Sequence, residues 1–160
     1  MIFDASVQAS LVVSMGSGAF SPILPHYGSS ERIGVEYAFP AGLLVRGSLA
    51  YLSVEPSLYT TTGIRYRSFA GFSAGLAAGY WLFSPEWGRL ALSAGPALSL
   101  VLGPQSGLVS LFPSARVELS AIVGWAPGFA LRAALPLELM FRGDGLSLAL
   151  GLAFGVGIGQ

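Results

Sequence analysis

The fourteen residues before Gln160 alternate without a break. Leu146, Leu148, Leu150, Leu152, Phe154, Val156 and Ile158 are large and apolar. Ser147, Ala149, Gly151, Ala153, Gly155, Gly157 and Gly159 between them are small. A period of two sends the two classes to opposite faces of a strand, whereas a helix would smear them around its circumference. One face of this segment therefore needs an apolar environment along its full length.

The same period recurs in seven earlier segments. Phe3, Val7, Leu11, Val13 and Met15 alternate with Asp4, Ser6, Gln8, Ser10 and Ser14. Ile33, Val35, Tyr37 and Phe39 alternate with Arg32, Gly34, Glu36 and Ala38. Leu43, Val45, Leu49 and Tyr51 face away from Leu44, Arg46, Ser48 and Ala50. Phe72, Leu76, Tyr80 and Leu82 oppose Gly71, Ser73, Gly75, Ala77 and Gly79. Leu90, Leu92, Leu98, Leu100 and Leu102 oppose Ala91, Ser93, Gly95, Ala97 and Ser99. Val117, Leu119, Val123 and Trp125 oppose Arg116, Glu118, Ser120 and Gly124. Phe129, Leu131, Leu135, Leu137, Leu139 and Phe141 oppose Ala130, Arg132, Ala134, Pro136 and Glu138.

Charged residues make up 10% of the 160-residue chain and hydrophobic residues 53%. A soluble domain usually carries about 25% charged residues, so a bilayer is the environment these faces fit. Helical spans are a poor fit. Leu90 to Ala115 lacks charge but contains Pro96, Pro104 and Pro113, and Ser68 to Pro85 has Gly71, Gly75 and Gly79 at every fourth position. Eight segments of about 9–11 residues suit tilted membrane strands. Closure follows, because an open edge in lipid would leave backbone donors and acceptors unpaired. The expected fold is all-β: one closed antiparallel eight-stranded up-and-down transmembrane β-barrel, a single domain over residues 1–160.

Three connections are tight: Pro40-Ala41-Gly42, Ser84 to Gly88, and Ala126-Pro127-Gly128. They alternate with longer links at Gly16 to Ser30, Glu55 to Thr62 and Gly103 to Ser114, and with the short turn Gly143-Asp144-Gly145. Aromatic girdles are expected at both interfaces. Phe3, Tyr37, Phe39, Tyr80, Trp125 and Phe129 gather at the tight-turn end, and Tyr51, Tyr66 and Phe141 at the other.

Charge follows the same parity. Asp4, Arg32, Glu36, Arg46, Arg116, Glu118, Arg132 and Glu138 fall on the inward positions, as do Arg65, Arg67 and Arg142 nearer the loop end. Glu31, Glu55, Glu86, Arg89 and Asp144 are assigned to strand ends or loops, leaving the mid-membrane lipid face without charge. An eight-stranded barrel has an interior that side chains can fill, so a salt-bridged lumen is expected. All eight basic residues are Arg, whose planar fork binds carboxylates bidentately.

The chain resembles the small eight-stranded bacterial outer-membrane proteins of the OmpA transmembrane domain, OmpX and OmpW type. The resemblance covers nearly the whole chain and rests on pattern. It implies short turns and both termini in the periplasm, longer loops outside, and location in the cell outer membrane. The partners it implies are the lipid bilayer and, for a natural protein, the barrel-assembly machinery; a monomer is expected. Gly151, Phe154 and Val156 match the spacing of the family's assembly signal, although the chain runs on to Gln160 without a terminal aromatic. Met1-Ile2 leads directly into the first strand, so a mature form or a designed barrel is expected.

Some barrels of this architecture modify lipids with a His–Ser–carboxylate arrangement. His26 is the sole histidine, in SPILPHYGSS, with Ser29, Ser30 and Glu31 nearby. A flexible loop is a weak platform for a triad, so no catalytic residue is assigned. No Cys is present, which excludes disulfides and zinc–thiolate sites, and no cofactor or metal site is expected. Zero net charge argues against a nucleic-acid partner.

The expected function is that of a non-enzymatic outer-membrane barrel with a structural or surface-interaction role. Leu58, Tyr59, Leu108, Leu111 and Phe112, with Phe20, Ile23, Leu24 and Tyr27, would supply a modest loop surface. A narrow pore for ions or small solutes is the alternative, then a lipid-modifying enzyme. A soluble lipocalin-like carrier is disfavoured by the apolar outer face.

Overall fold

A computed structural model describes residues 1–16, 26–55, 69–102, 109–126, 128–142 and 145–159. Each apolar/small alternation folds as a strand: β1 Ile2–Gly16, β2 His26–Ala38, β3 Leu43–Glu55, β4 Phe69–Phe83, β5 Gly88–Leu102, β6 Val109–Ala126, β7 Phe129–Arg142 and β8 Gly145–Gly159. Each strand pairs antiparallel with its sequence neighbours, and β8 closes on β1, giving a closed eight-stranded barrel.

The register fixes the geometry. Following paired residues around the wall leads from Asp4 through Gly34, Ser48, Gly75, Ala97, Ser114, Met140 and Ser147 to Ser14. The circuit returns to β1 ten residues from its start. With ordinary strand rise and spacing, this stagger tilts the strands by about 40° and gives a radius of about 8 Å.

Of the three prolines inside strands, Pro113 lies beyond the end of the β6–β7 ladder, whereas Pro96 and Pro136 have a paired strand on both sides and no free edge to hide them. The β4–β5 ladder is interrupted between Gly75↔Ala97 and Ala78↔Ala94, where Pro96 lies. The β7–β8 ladder is interrupted between Ala134↔Ala153 and Leu137↔Leu150, where Pro136 lies. The missing N–H thus falls at a local gap in each ladder.

Three hairpins and both termini share one rim. Gly42 has φ of 84° and Gly128 of 80°, a left-handed conformation that glycine adopts without a Cβ clash. In the first hairpin Phe39 N–H donates to Leu43 O at 2.8 Å and Gly42 N–H to Phe39 O at 3.0 Å.

The barrel inverts the burial of a soluble protein. Asp4, Gln8, Arg32, Glu36, Arg46, Glu118 and Arg132 are buried, while Phe154, Leu150, Leu76, Ile33 and Val7 are exposed. On β8 the outward run from Leu146 to Ile158 spans about 30 Å of barrel height. No described segment is a helix long and apolar enough to cross a membrane.

The strands begin earlier than the apolar periodicity suggests. β2 starts at His26 and β6 at Val109. The stretch HYGSSE offers no large aliphatic residue, so its alternation is invisible to hydropathy. Tyr27, Ser29, Ser30, Leu111 and Phe112, expected in loops, therefore belong to strands.

Candidate functional site

Strand parity alone brings Asp4, Arg32, Glu36, Arg46, Arg116, Glu118, Arg132 and Glu138 into the lumen, from β1, β2, β3, β6 and β7. What parity does not give is their arrangement. Glu118 is the hub. Its Oε1 accepts from Arg46 Nη1 at 2.9 Å and from Arg132 Nη2 at 2.7 Å. Its Oε2 accepts from Arg116 Nε at 3.1 Å and from Arg116 Nη2, with Arg32 Nη1 at 3.8 Å. One carboxylate thus faces four guanidiniums.

The other carboxylates compensate around it. Arg46 Nη2 donates to Asp4 Oδ1 at 2.6 Å, and Arg132 Nη1 to Glu36 Oε2 at 3.1 Å. Glu138 Oε1 accepts from the Ser114 hydroxyl at 2.7 Å, and its Oε2 lies 3.8 Å from Arg116 Nη1. Gln8 Oε1 accepts from Arg116 Nη2 at 3.3 Å. Arginine's fork lets Arg46 and Arg132 each bridge two carboxylates, which an ammonium at one point could not do with the same geometry.

On the hairpin-rim side of the network the inward residues Leu44 and Ile122 are buried. Beside them Arg89 stacks on the Trp81 ring, 4.1 Å from its centroid. Arg89 was expected at a strand end or loop. It is the second residue of β5 and shares the inward parity of Ala91 and Ser93, a signal already present in the sequence.

Glycine makes room for the ion pairs. A Cβ at Gly34 would stand 2.9 Å from both Arg46 Nη2 and Asp4 Oδ2. Gly34→Ala should therefore cost about 1–3 kcal/mol by overpacking. Gly47→Ala, where nothing lies within 4 Å of the added atom, should change stability by less than about 0.5 kcal/mol. Urea midpoints of the two variants in detergent would show the difference.

The gap left inside the network itself is small. A cavity of about 20 Å³ lies against Arg32, Arg46 and Arg116 on one side and Ser48, Ser73 and Gly75 on the other. That is room for about one water.

A closed antiparallel eight-stranded wall is the geometry shared with known solved structures. The chain has the fold of the small eight-stranded outer-membrane β-barrels. Neisserial surface protein A (NspA) matches with a TM-score of 0.68 at 17% identity, over 98% of this chain and 96% of that one. The outer membrane enzyme PagL matches with a TM-score of 0.58 at 13% identity, over 97% and 99%. Ail of Yersinia pestis, in complex with the heparin analogue sucrose octasulfate, matches with a TM-score of 0.55 at 15% identity, over 98% and 97%. No protein-family model matches the chain, and no curated protein does.

Outward aromatics of this outer-membrane barrel fold cluster at its two ends. Phe3, Tyr37, Phe39, Tyr80 and Phe129 are exposed toward the hairpin rim, joined by Phe83 and Trp87, which periodicity missed. Tyr37 and Phe39 meet edge to face at 4.9 Å. Toward the other end Tyr51 and Phe141 are exposed, and Tyr51 packs on Phe72 with ring centroids 5.6 Å apart. Tyr66, Arg65 and Arg67 lie outside the described residues, as do the side chains of His26, Trp125 and Arg142.

The expectation that Glu31 lies at a strand end or in a loop needs correction, while its place beside Tyr51 leaves it at the loop-side girdle and not at mid-membrane. It lies within β2, in register with Val7 and Tyr51, and is exposed on the outer face. Eight residues separate it from Phe39, or about 20 Å of barrel height. The earlier start of β2 is the cause, since it carries the alternation through Ser29, Ser30 and Glu31. A carboxylate is better tolerated there than an arginine.

Proposed function

We propose that this chain is an integral outer-membrane β-barrel with a non-enzymatic, structural or surface-interaction role, held rigid by a salt-bridged lumen. The observation that carries the reading is the ion-pair network: eight charged side chains from five strands meet in the lumen, and the gap beside Arg32, Arg46 and Arg116 has room for about one water. Hydrated ions need a continuous path, and the network would have to break to supply one. Breaking a buried pair costs about 3–5 kcal/mol, which holds the plug in place.

The outer-membrane location rests on the fold and on the exposed apolar outer face. A lipid-modifying activity finds little support around His26. Ser29 and Glu31 share the outward face of β2 while Ser30 is buried inward, so the two adjacent hydroxyls do not serve one site. The surface role is assigned to the loop-side end, and Ail offers a precedent for ligand binding by such a barrel, since it was crystallised in complex with the heparin analogue sucrose octasulfate.

Planar-bilayer recording tests the reading. Wild-type protein should insert and remain electrically silent at moderate voltage. Discrete conductance steps that vanish in Arg132→Ala would establish a conduit instead. In cells expressing the chain, the lipid A mass spectrum should match that of an empty-vector control.

A further inference from the structure

One arginine of the lumen lacks a close partner. Arg32 is 7% exposed and makes no hydrogen bond to any described residue, and its Nε is buried without one. Its contact with Glu118 Oε2 is 3.8 Å long, and that oxygen already accepts from Arg116 Nε and Nη2. Arg116 Nη1 is likewise buried without a hydrogen bond. Both guanidiniums border the 20 Å³ cavity.

The opposite wall is made of donors and open space. Ser73 Oγ accepts from the Ser99 hydroxyl at 3.1 Å, which leaves the Ser73 proton free to donate. Ser48 stands beside it, and a Cβ at Gly75 would lie 3.2 Å from Ser48 Oγ. Glu118 and Glu138 also line the cavity. Glu118 is occupied by arginines, and Glu138 by Ser114 and Arg116. The inward charges among the described residues, Arg89 included, are five arginines against four carboxylates.

We propose that this cavity binds a single chloride ion, held by Arg32 and Arg116 with the hydroxyls of Ser73 and Ser48. Size points to a small ligand, because the gap bordered by Arg116 and Ser48 has room for about one water and so suits a monatomic anion. Charge selects anion over water. A buried guanidinium needs a counter-charge as well as an acceptor, and water supplies only the acceptor. The ion would enter from the loop side, where Ser99, Ser147 and Ala149 line the lumen.

The test uses the whole barrel in detergent micelles at fixed ionic strength, comparing sodium chloride, sodium bromide and sodium gluconate. Halide should raise the urea midpoint saturably. At ten times its dissociation constant it should lower the unfolded-to-folded ratio about tenfold. Arg32→Gln should abolish the halide dependence, and Gly75→Ala, which narrows the cavity, should weaken it. Crystals grown in bromide should show an anomalous peak beside Arg32. Equal midpoints in halide and gluconate, with only a water in the cavity and no bromide peak, would overturn the proposal. If Arg32→Gln does not fold, the wild-type comparison and the bromide peak decide by themselves.

Discussion

Replacing Glu118 by alanine should nearly unfold this barrel. The substitution removes the acceptor shared by Arg46, Arg132 and Arg116 and leaves the four lumen arginines other than Arg89 facing only Asp4, Glu36 and Glu138. Truncating one partner of a single buried pair costs about 3–5 kcal/mol. Here three direct partners each lose an acceptor at once, keeping only Asp4, Glu36, Gln8 and Glu138 among them, so a loss of about 5 kcal/mol is expected. Typical total stabilities are about 5–15 kcal/mol, and the variant should sit near the edge of folding. Glu118→Gln keeps the shape and one acceptor oxygen and should lose less. Adding Arg116→Ala to Glu118→Ala should recover part of the loss, because it withdraws one of the stranded cations. Urea titrations in micelles, followed by tryptophan fluorescence, read all three. A loss below about 1 kcal/mol for Glu118→Ala would mean that water screens the lumen and that the network is not the plug described.

The second large effect belongs to the outer face. Leu76 is exposed on β4, four residues from Tyr80 at one girdle and four from Phe72 at the other. It therefore lies midway across the apolar band. Leu76→Arg should cost about 2–4 kcal/mol in lipid vesicles, whereas Leu82→Arg, near the hairpin rim, should cost about 0–1 kcal/mol. A soluble barrel would show no such gradient, since exposed substitutions in water stay within about 0.5 kcal/mol. Equal costs at the two positions would sink the membrane assignment. Glu31, exposed on the loop-side half of β2, is the natural carboxylate on this face, and Glu31→Leu should be neutral or slightly stabilising in the same assay.

Parity made much of this legible in the sequence. Residues such as Arg132 and Glu138 announce an inward face because Leu131, Leu135 and Leu137 alternate with them. Parity fails where the outward positions lack large aliphatic groups, which is why the start of β2 and the outward Glu31 were hidden. It also missed Phe83 and Trp87 at the rim, because they lie beyond the last clean alternation of β4.

The sequence by itself determined which face each residue takes, because a strand offers two faces and lipid accepts only one of the two residue classes. It thereby determined the strand number and the polarity of the lumen. Only the tertiary structure decided who meets whom. Arg46 reaches Glu118 across the lumen from a strand three places away. That pairing depends on the ten-residue stagger of the closed wall, which sets the height at which each inward side chain arrives. No local pattern encodes that stagger. It emerges when all eight registers close at once, and with it come the four-arginine hub and the small space beside Arg32.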